Sequence, residues 1–292
     1  MFQNDRHKIR QTRIFSPILC IMRMLLIIFI TSISVNYIFA ANDNTPAGAR
    51  SAGIGNASVA LYDFWAIQNN QAGLSQINNI SAGFYFENRF LIKDLGLCFG
   101  AFVLPTKSGV FGLSLKYFGN KLYNETKAGL AFSRSFGKHF SAGIQLDYFS
   151  TSVGEGYGSN KLISFEAGII TKINDDLNIA VHVFNPIRIK FNDYNNERVP
   201  TILKLGLSYK FSDRIQAMLE TEKDIDKKAI FKAGFECLII ENIYVRAGIT
   251  TNPTLYTFGF GINFKKLKID FASSMHQTLG YSPQISVIYS FK

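Results

Sequence analysis

The sequence has few residues that could form disulfides or metal sites. It contains three cysteines and four histidines in 292 residues. The histidines are scattered without the spacing of a metal site, so we predict no metal and no other cofactor. Cys98 and Cys237 lie in separate strand-like segments, where the alternation of apolar residues places them on opposite faces of one sheet. We therefore predict that both are free and act as small apolar side chains.

Signals for nucleic-acid binding and for catalysis are also weak. The formal net charge is +10, but no run of Lys and Arg is interleaved with aromatic residues, which excludes a nucleic-acid surface. The stretch "GEGYG" at 154–158 lacks the strand-to-helix setting of a phosphate-binding loop. No Ser/His/Asp set occurs in a motif context, and the pair Asp175-Asp176 falls in a predicted turn. We predict that the protein is not an enzyme.

Long apolar runs are confined to the first 40 residues. A basic lead precedes the 17-residue run "MLLIIFITSISVNYIFA", and Ala40-Ala41 suits a cleavage site. We predict a signal peptide over residues 1–40, with Met22 as an alternative start, and an exported mature chain. The alternative is a membrane anchor, but a run broken by Thr, Ser and Asn is marginal for a bilayer core of about 30 Å.

From residue 80 onward, apolar residues recur with a period of two, which indicates strands. In "YTFGFGINF" the apolar set runs from Tyr256 to Phe264, with small or polar residues between. The predicted strands are 80–88, 94–103, 108–118, 126–135, 139–149, 161–171, 177–184, 201–211, 213–221, 228–237, 242–249, 254–264, 266–274 and 282–291. The fold class is therefore all-β.

Alternation suits both a soluble sandwich and a membrane barrel, and three features favour the barrel. The strands are mostly long enough to cross a bilayer at a tilt. Their number is even, and short connections such as "FGK" alternate with longer ones such as "TSVGEGYGSNK". We predict that residues 80–292 form an antiparallel transmembrane β-barrel of about fourteen strands. Its location would be the outer membrane of a Gram-negative bacterium, with lipid around it and short turns on the periplasmic side.

The predicted inner face carries glycines and charged residues. A small pattern recurs as "SAGF", "KAGL", "SAGI", "EAGI", "KAGF" and "RAGI", in which the glycine lies on the inner face. Such glycines indicate wall curvature or something packed tightly inside, with ordinary lining as the alternative. The polar residues that we expect to line the lumen are Lys116, Gln145, Asp147, Glu166, His182, Lys204, Glu220, Lys232, Glu236, Arg246 and Asp270.

The stretch before the first strand differs from the rest of the chain. "DFWAIQNNQAGLSQ", residues 63–76, holds the single tryptophan and is typical of a short helix. We predict that Asp63 caps its start and that Gly73 ends it in the left-handed conformation. Trp65 is predicted to pack this element, with ligand stacking as the alternative.

The segment "GARSAGIGNASVALYDFWAIQNNQAGLS", residues 48–75, resembles the N-terminal signature of PorV/PorQ outer-membrane proteins, which belong with the FadL-type transporters. The resemblance is carried by two stretches, 50–55 and 70–74, with Gln71 where a proline is usual. It implies that residues 41–79 fold into the lumen of a fourteen-stranded barrel as a hatch. The hatch residues that it singles out are Arg50, Gly53, Gly55, Asp63, Trp65, Asn70 and Gly73.

Two functions follow from the resemblance. The first is a component of type IX protein secretion or a related surface-export system, with secretion proteins or secreted cargo as partners. The alternative is a FadL-like passive transporter of apolar small molecules across the outer membrane. A purely structural barrel is the third possibility.

Overall fold

A computed structural model describes residues 44–154, 158–190 and 198–291. The predicted signal peptide lies outside these residues. Among the residues described, no helix is both long and apolar enough to cross a bilayer.

Fourteen antiparallel strands form a closed barrel, which confirms the predicted fold class. Each strand pairs with its neighbours in sequence, and β1 pairs with β14 from Ser81–Ser290 to Glu87–Gln284. The strands are β1 (Ser81–Asn88), β2 (Gly96–Thr106), β3 (Gly109–Gly119), β4 (Tyr123–Phe136), β5 (Phe140–Val153), β6 (Gly158–Lys172), β7 (Leu177–Phe184), β8 (Ile202–Ser212), β9 (Ile215–Asp224), β10 (Ile230–Ile240), β11 (Ile243–Thr250), β12 (Leu255–Phe264), β13 (Leu267–His276) and β14 (Gly280–Ser290).

The two faces of the wall differ in the way that a membrane barrel requires. On β12, Phe258 and Phe260 point outward and are 51% and 46% exposed, whereas Thr257 points inward and is 3% exposed. The outward rings of Phe260 and Phe271 stack across β12 and β13 with centroids 5.0 Å apart. The exposed apolar face is therefore the surface that lipid covers, and the polar face is buried inside.

The predicted contrast between short turns and long loops is only partly present. The stretch "TSVGEGYGSNK" was expected to be a long loop, but β5 extends to Val153 and β6 begins at Gly158. Thr151 pairs with Asn160 in this extension. Both faces of these strand ends are polar, so the period-two signal disappears although the ladder continues. The connection between β7 and β8, residues 185–201, is long.

Strand β2 reverses the expected faces, and the prediction for Cys98 is wrong. Phe99 pairs with the inward-facing Tyr85, so Phe99 and Leu97 point into the barrel and are buried. Cys98 therefore shares the outer face with Cys237, and both thiols are free. The reason is that the interior beside β2 is apolar. Apolar residues therefore occupy both faces of this strand, and the residue pattern does not distinguish the inner face from the outer face.

Residues 44–79, here called the inner segment, lie before β1 and contain three short helical elements. These are α1 (Ala49–Gly53), α2 (Ala66–Asn69) and a 3-10 helix (Gln71–Gln76). Two further 3-10 turns, Arg89–Leu91 and Lys93–Leu95, connect β1 to β2.

The predicted single helix over 63–76 is two elements. Asp63 Oδ1 accepts a hydrogen bond from Ala66 N–H at 3.0 Å, but this bond closes the turn before α2, whose N-cap position is Trp65. Asn70 is extended and its side chain accepts from Ala72 N–H at 3.2 Å, which starts the 3-10 helix. Gly73 lies inside that helix and lacks the positive φ of a helix end. Its missing side chain instead allows close approach, since an added Cβ would collide with the Leu61 carbonyl oxygen and lie 2.7 Å from Ala66 Cβ.

Candidate functional site

The inner segment packs against glycines of the barrel wall. Gly143 faces Gln71 and Ala72, and Gly83 faces the ring of Phe64. The recurrent pattern supplies five such contacts, at Gly83, Gly143, Gly168, Gly234 and Gly248. The sixth glycine, Gly129, faces other wall side chains, Ser114 and Gln145. The observation favours tight packing over ordinary lining as the reason for these glycines.

The first half of the segment lies against β10 to β13 with almost no space between the two backbones. A Cβ at Gly234 would lie 2.6 Å from Ile54 Cβ, and one at Gly53 would lie 3.3 Å from Gly259 Cα. Gly55 has a φ of +67°, which glycine adopts without strain, and its N–H donates to Thr257 Oγ1 at 2.9 Å. The wall therefore holds this half mainly through its backbone.

Arg50 joins the inner segment to the wall through charge. Its guanidinium donates to both carboxylate oxygens of Glu236, at 2.9 and 2.7 Å, and to Asp63 at 3.1 Å. Glu236 also accepts from Arg246 at 2.6 Å, and Arg246 donates to Asp270 at 2.8 Å. Burial acts to lower the pKa of Arg50, but the attraction and hydrogen bonds of Glu236 outweigh it and raise that pKa above its ordinary value.

A second charged group surrounds Glu220 on β9. Lys232 lies 2.8 Å from Glu220 and 2.6 Å from Glu222, and Lys204 lies 3.9 Å from Glu222. Glu220 also accepts a hydrogen bond from the backbone N–H of Val59 at 2.9 Å. This carboxylate therefore satisfies one backbone donor of the inner segment as well as a wall lysine.

A third group fills the space between β4 and β7. Lys127 is in ion-pair contact with Glu166 and lies 3.4 Å from Asp147. Glu166 is also 2.9 Å from His182 Nε2 and accepts from the Gln71 side chain at 3.1 Å. Lys116 is buried on the same inner face. The lumen charges thus pair both with each other and with the inner segment.

The structure places the predicted residues in one interior but does not gather them into a single centre. Arg50 and Asp63 lie together with Glu236, Arg246 and Asp270. Asn70 contacts Gly168 from the opposite side of the lumen and donates to the Ile169 carbonyl at 3.4 Å. Their roles in function stay predictions.

An aromatic group around Trp65 was missed from the sequence. The indole lies 5.0 Å from Phe64, 6.1 Å from Tyr85 and 6.0 Å from Phe99, centroid to centroid, in edge-to-face geometry. Leu97 and Val103 of β2 are buried in the same cluster. The inward position of Tyr85 could have been predicted, because Tyr85 shares a face with Gly83. The inward position of Phe99 could not, because β2 has apolar residues on both faces.

A second aromatic group lies inside the wall on β5 and β7. Phe149 and Phe184 meet edge to face at 6.0 Å, and Val199 and Ile202 complete the buried cluster. Lys127 Nζ lies 5.2 Å from the Phe184 ring centroid, within the range of a cation–π interaction. The inner face is therefore partly aromatic, where a water-filled pore would be polar.

A cavity of about 590 Å³ opens below the inner segment at the short-turn rim; it is here called the vestibule. From the inner segment, Arg50, Asp63 and Trp65 line it. From the wall and its turns it is bordered by polar residues that include Lys172, Asp175, Lys210, Asp213 and Lys268. Lys172 Nζ lies 5.1 Å from the centroid of the Tyr62 ring. Trp65 therefore borders this polar space and also packs against Tyr85 and Phe99.

Solved structures of similar shape include hydrocarbon channels and transporters. The monoaromatic hydrocarbon channel CymD is 14% identical with a TM-score of 0.66, over 86% of this chain and 99% of CymD. The chain has the FadL-type fold. A FadL homologue of Pseudomonas aeruginosa is 14% identical with a TM-score of 0.60, over 83% of this chain and 98% of its own. The toluene transporter TodX of Pseudomonas putida is 14% identical with a TM-score of 0.61, over 85% and 99%.

At the level of sequence the comparisons find no relative. No protein-family description matches the chain, and no curated protein matches it. The resemblance to PorV/PorQ proteins therefore gains no support from sequence. The shared architecture extends over nearly the whole of each similar channel.

Proposed function

We propose that this barrel lets apolar small molecules pass across the outer membrane. The observation that carries the proposal is the apolar inner face of β2, together with Tyr85 of β1. Tyr85, Leu97, Phe99 and Val103 face inward there and are buried. This wall packs against Trp65, and it also suits an apolar solute, which is stabilised by about 25 cal/mol for each Å² of apolar surface that leaves water.

The structures of similar shape support the same choice. CymD is described as a monoaromatic hydrocarbon channel and TodX as a toluene transporter. The role in type IX secretion has no comparable support, because the PorV/PorQ resemblance rests on one short segment. Transport of apolar molecules therefore replaces secretion as the leading function.

In this proposal the inner segment is a hatch. It is joined to β10 by the Arg50–Glu236 ion pair and to β6 by the Gln71–Glu166 hydrogen bond. These contacts are polar and lie inside the lumen, so they can exchange for water without breaking the wall. Movement of the segment would open a path from the inner face at Tyr85 and Phe99 to the vestibule.

Uptake of radiolabelled toluene tests the function. Cells of a host without its own hydrocarbon channel are given the full chain or an empty vector, and initial uptake is measured. We expect faster uptake with the full chain, and a several-fold loss with Phe99→Gln because an amide then lies on the apolar wall.

Gln216→Ala serves as the matched inner-face control, since Gln216 borders the polar vestibule. Heat-modifiable mobility on gels establishes that each variant forms a barrel. Uptake no faster than that of empty-vector cells, with folded protein in the outer membrane, would refute the proposed function.

A further inference from the structure

The indole of Trp65 is enclosed by rings and by a glycine. It is 1% exposed and meets Phe64, Tyr85 and Phe99 edge to face. Gly48 has a φ of +96°, and a Cβ there would collide with the indole and lie 2.8 Å from its Nε1 atom. The backbone of the inner segment is thus shaped around a flat ring.

The indole N–H is not used in this site. Trp65 Nε1 is buried and has no hydrogen-bond partner among the described residues. A buried tryptophan N–H usually finds an acceptor, and leaving one unpaired costs about 1–3 kcal/mol. The site therefore packs well around the indole ring but offers no acceptor for its N–H. An aromatic ring without an N–H would bind there without this cost.

The ring and its surroundings belong to different parts of the molecule. Tyr85 and Phe99 lie on β1 and β2 of the wall, whereas Trp65 lies in the inner segment just before α2. Trp65 also borders the vestibule, which offers about 590 Å³ of space beside it. Since Trp65 belongs to no strand, a movement of its side chain toward that space breaks no hydrogen bond between strands.

We propose that Tyr85 and Phe99 form a binding site for a single-ring aromatic hydrocarbon, which Trp65 fills when no ligand is present. The ligand takes the place of the indole, and the indole moves into the vestibule. This inference rests on the proposed function, since it supplies the substrate class and the contact by which the substrate frees the hatch.

The site discriminates against polar aromatic molecules. The Tyr85 hydroxyl donates to Glu87 at 3.2 Å, so the site presents ring carbon to the ligand and keeps a carboxylate close by. A benzoate anion would be repelled by this carboxylate and would lose hydration without compensation. Toluene meets only aromatic and aliphatic carbon.

Intrinsic fluorescence tests the proposal directly, because Trp65 is the single tryptophan in the chain. The purified full-length barrel in detergent is titrated with toluene. We expect the emission to move to longer wavelength and to saturate as the indole enters the polar vestibule. Titration with benzoate should leave the emission unchanged.

A tryptophan on the outer face controls for toluene that dissolves in the detergent. Phe258 points outward on β12, so Phe258→Trp in a Trp65→Phe background reports only the detergent side. Its emission should change without saturation or not at all. A second variant, Trp65→Ala, leaves an apolar cavity of the kind that binds benzene-like molecules. Toluene should raise its heat-modification temperature more than that of the unmodified chain.

Two outcomes would overturn the inference. One is unchanged Trp65 emission, or the same non-saturating change as in the outer-face control. The other is a Trp65→Ala barrel that toluene stabilises no more than the unmodified chain. If cells with the unmodified chain still take up toluene faster than empty-vector cells in either case, the binding site is wrong and the transport function stands. Uptake no faster than that of empty-vector cells refutes the transport function.

Discussion

The Arg50 guanidinium lies 2.7 Å from Glu236 Oε1, and this ion pair connects the inner segment to β10. The Arg50 side chain is 22% exposed toward the vestibule. The contact is therefore neither a surface pair, which contributes little, nor a fully dry one, whose disruption costs several kcal/mol. Because water reaches the Arg50 side chain from the vestibule, we expect this ion pair to break and form again more readily than a fully buried one.

Replacement of Arg50 by methionine should loosen the inner segment. Asp63 and Glu236 then face each other without the shared guanidinium, which we expect to cost about 1–3 kcal/mol after allowance for partial exposure. Brief openings in planar-bilayer recordings should become more frequent. Lys210→Met is the matched control, because Lys210 borders the same vestibule and forms no ion pair with a described residue. An equal frequency of openings in both variants would contradict the role of Arg50 in holding the inner segment in place.

Gly234→Val should push the inner segment from the wall. The new Cβ would lie 2.6 Å from Ile54 Cβ, and the Ile54 carbonyl lies in the same space. Gly100→Val is the control, since Gly100 lies on the outer face of β2 with nothing within 4 Å of an added Cβ. We expect higher bilayer conductance for Gly234→Val alone, with both variants forming heat-modifiable barrels. If Gly234→Val stays as closed as the unmodified chain, the packing argument fails.

Charge on the two faces of β12 should have different effects. Phe260→Arg puts a guanidinium toward lipid, at a cost of roughly 2–4 kcal/mol near the bilayer midplane, and should reduce the amount of folded barrel. Thr257→Arg should assemble but lose the hydrogen bonds that Thr257 makes with Gly55 N–H and the Gly53 carbonyl. Gel mobility measures assembly, and bilayer recording measures the leak. The opposite order of assembly would mean that the faces are reversed.

Deletion of residues 44–76 should leave the wall intact, because its hydrogen bonds run between strands. The emptied lumen should conduct ions and prefer cations. Among the described residues, the buried wall carboxylates are Glu87, Glu125, Asp147, Glu166, Glu220, Asp224, Glu236 and Asp270, and the buried basic residues are Lys116, Lys127, Lys204, Lys232 and Arg246. The reversal potential in a KCl gradient measures the preference. A folded but silent deletion variant would exclude the hatch role.

The sequence predicted the barrel because one physical rule governs most strands. Lipid outside and charge inside impose a period of two, so Phe258 and Thr257 could be assigned to faces from the letters alone. The rule fails where its cause is missing. The inside of β2 is apolar, so Cys98 was wrongly placed on the face opposite to Cys237.

The candidate site was less accessible to sequence reasoning. Gly83 and Gly234 indicated that something packs inside, but their partners Phe64 and Ile54 lie in a segment without periodicity. The contact of Trp65 with Phe99 joins an aperiodic segment to the one strand whose faces were reversed. Pairings of this kind depend on the closed shape of the whole wall, which no local pattern encodes.

The hydrogen bond from Ala49 N–H to Ser286 Oγ spans 237 positions of the chain. Ser286 lies on β14, which also closes the wall against β1. Seating of the segment and closure of the cylinder therefore wait for the same last strand, and contacts so distant in sequence form slowly. Until then the wall has two open strand edges, and Ala49 N–H lacks the acceptor that Ser286 supplies. One strand thus serves both the seam of the wall and the anchoring of the segment inside it.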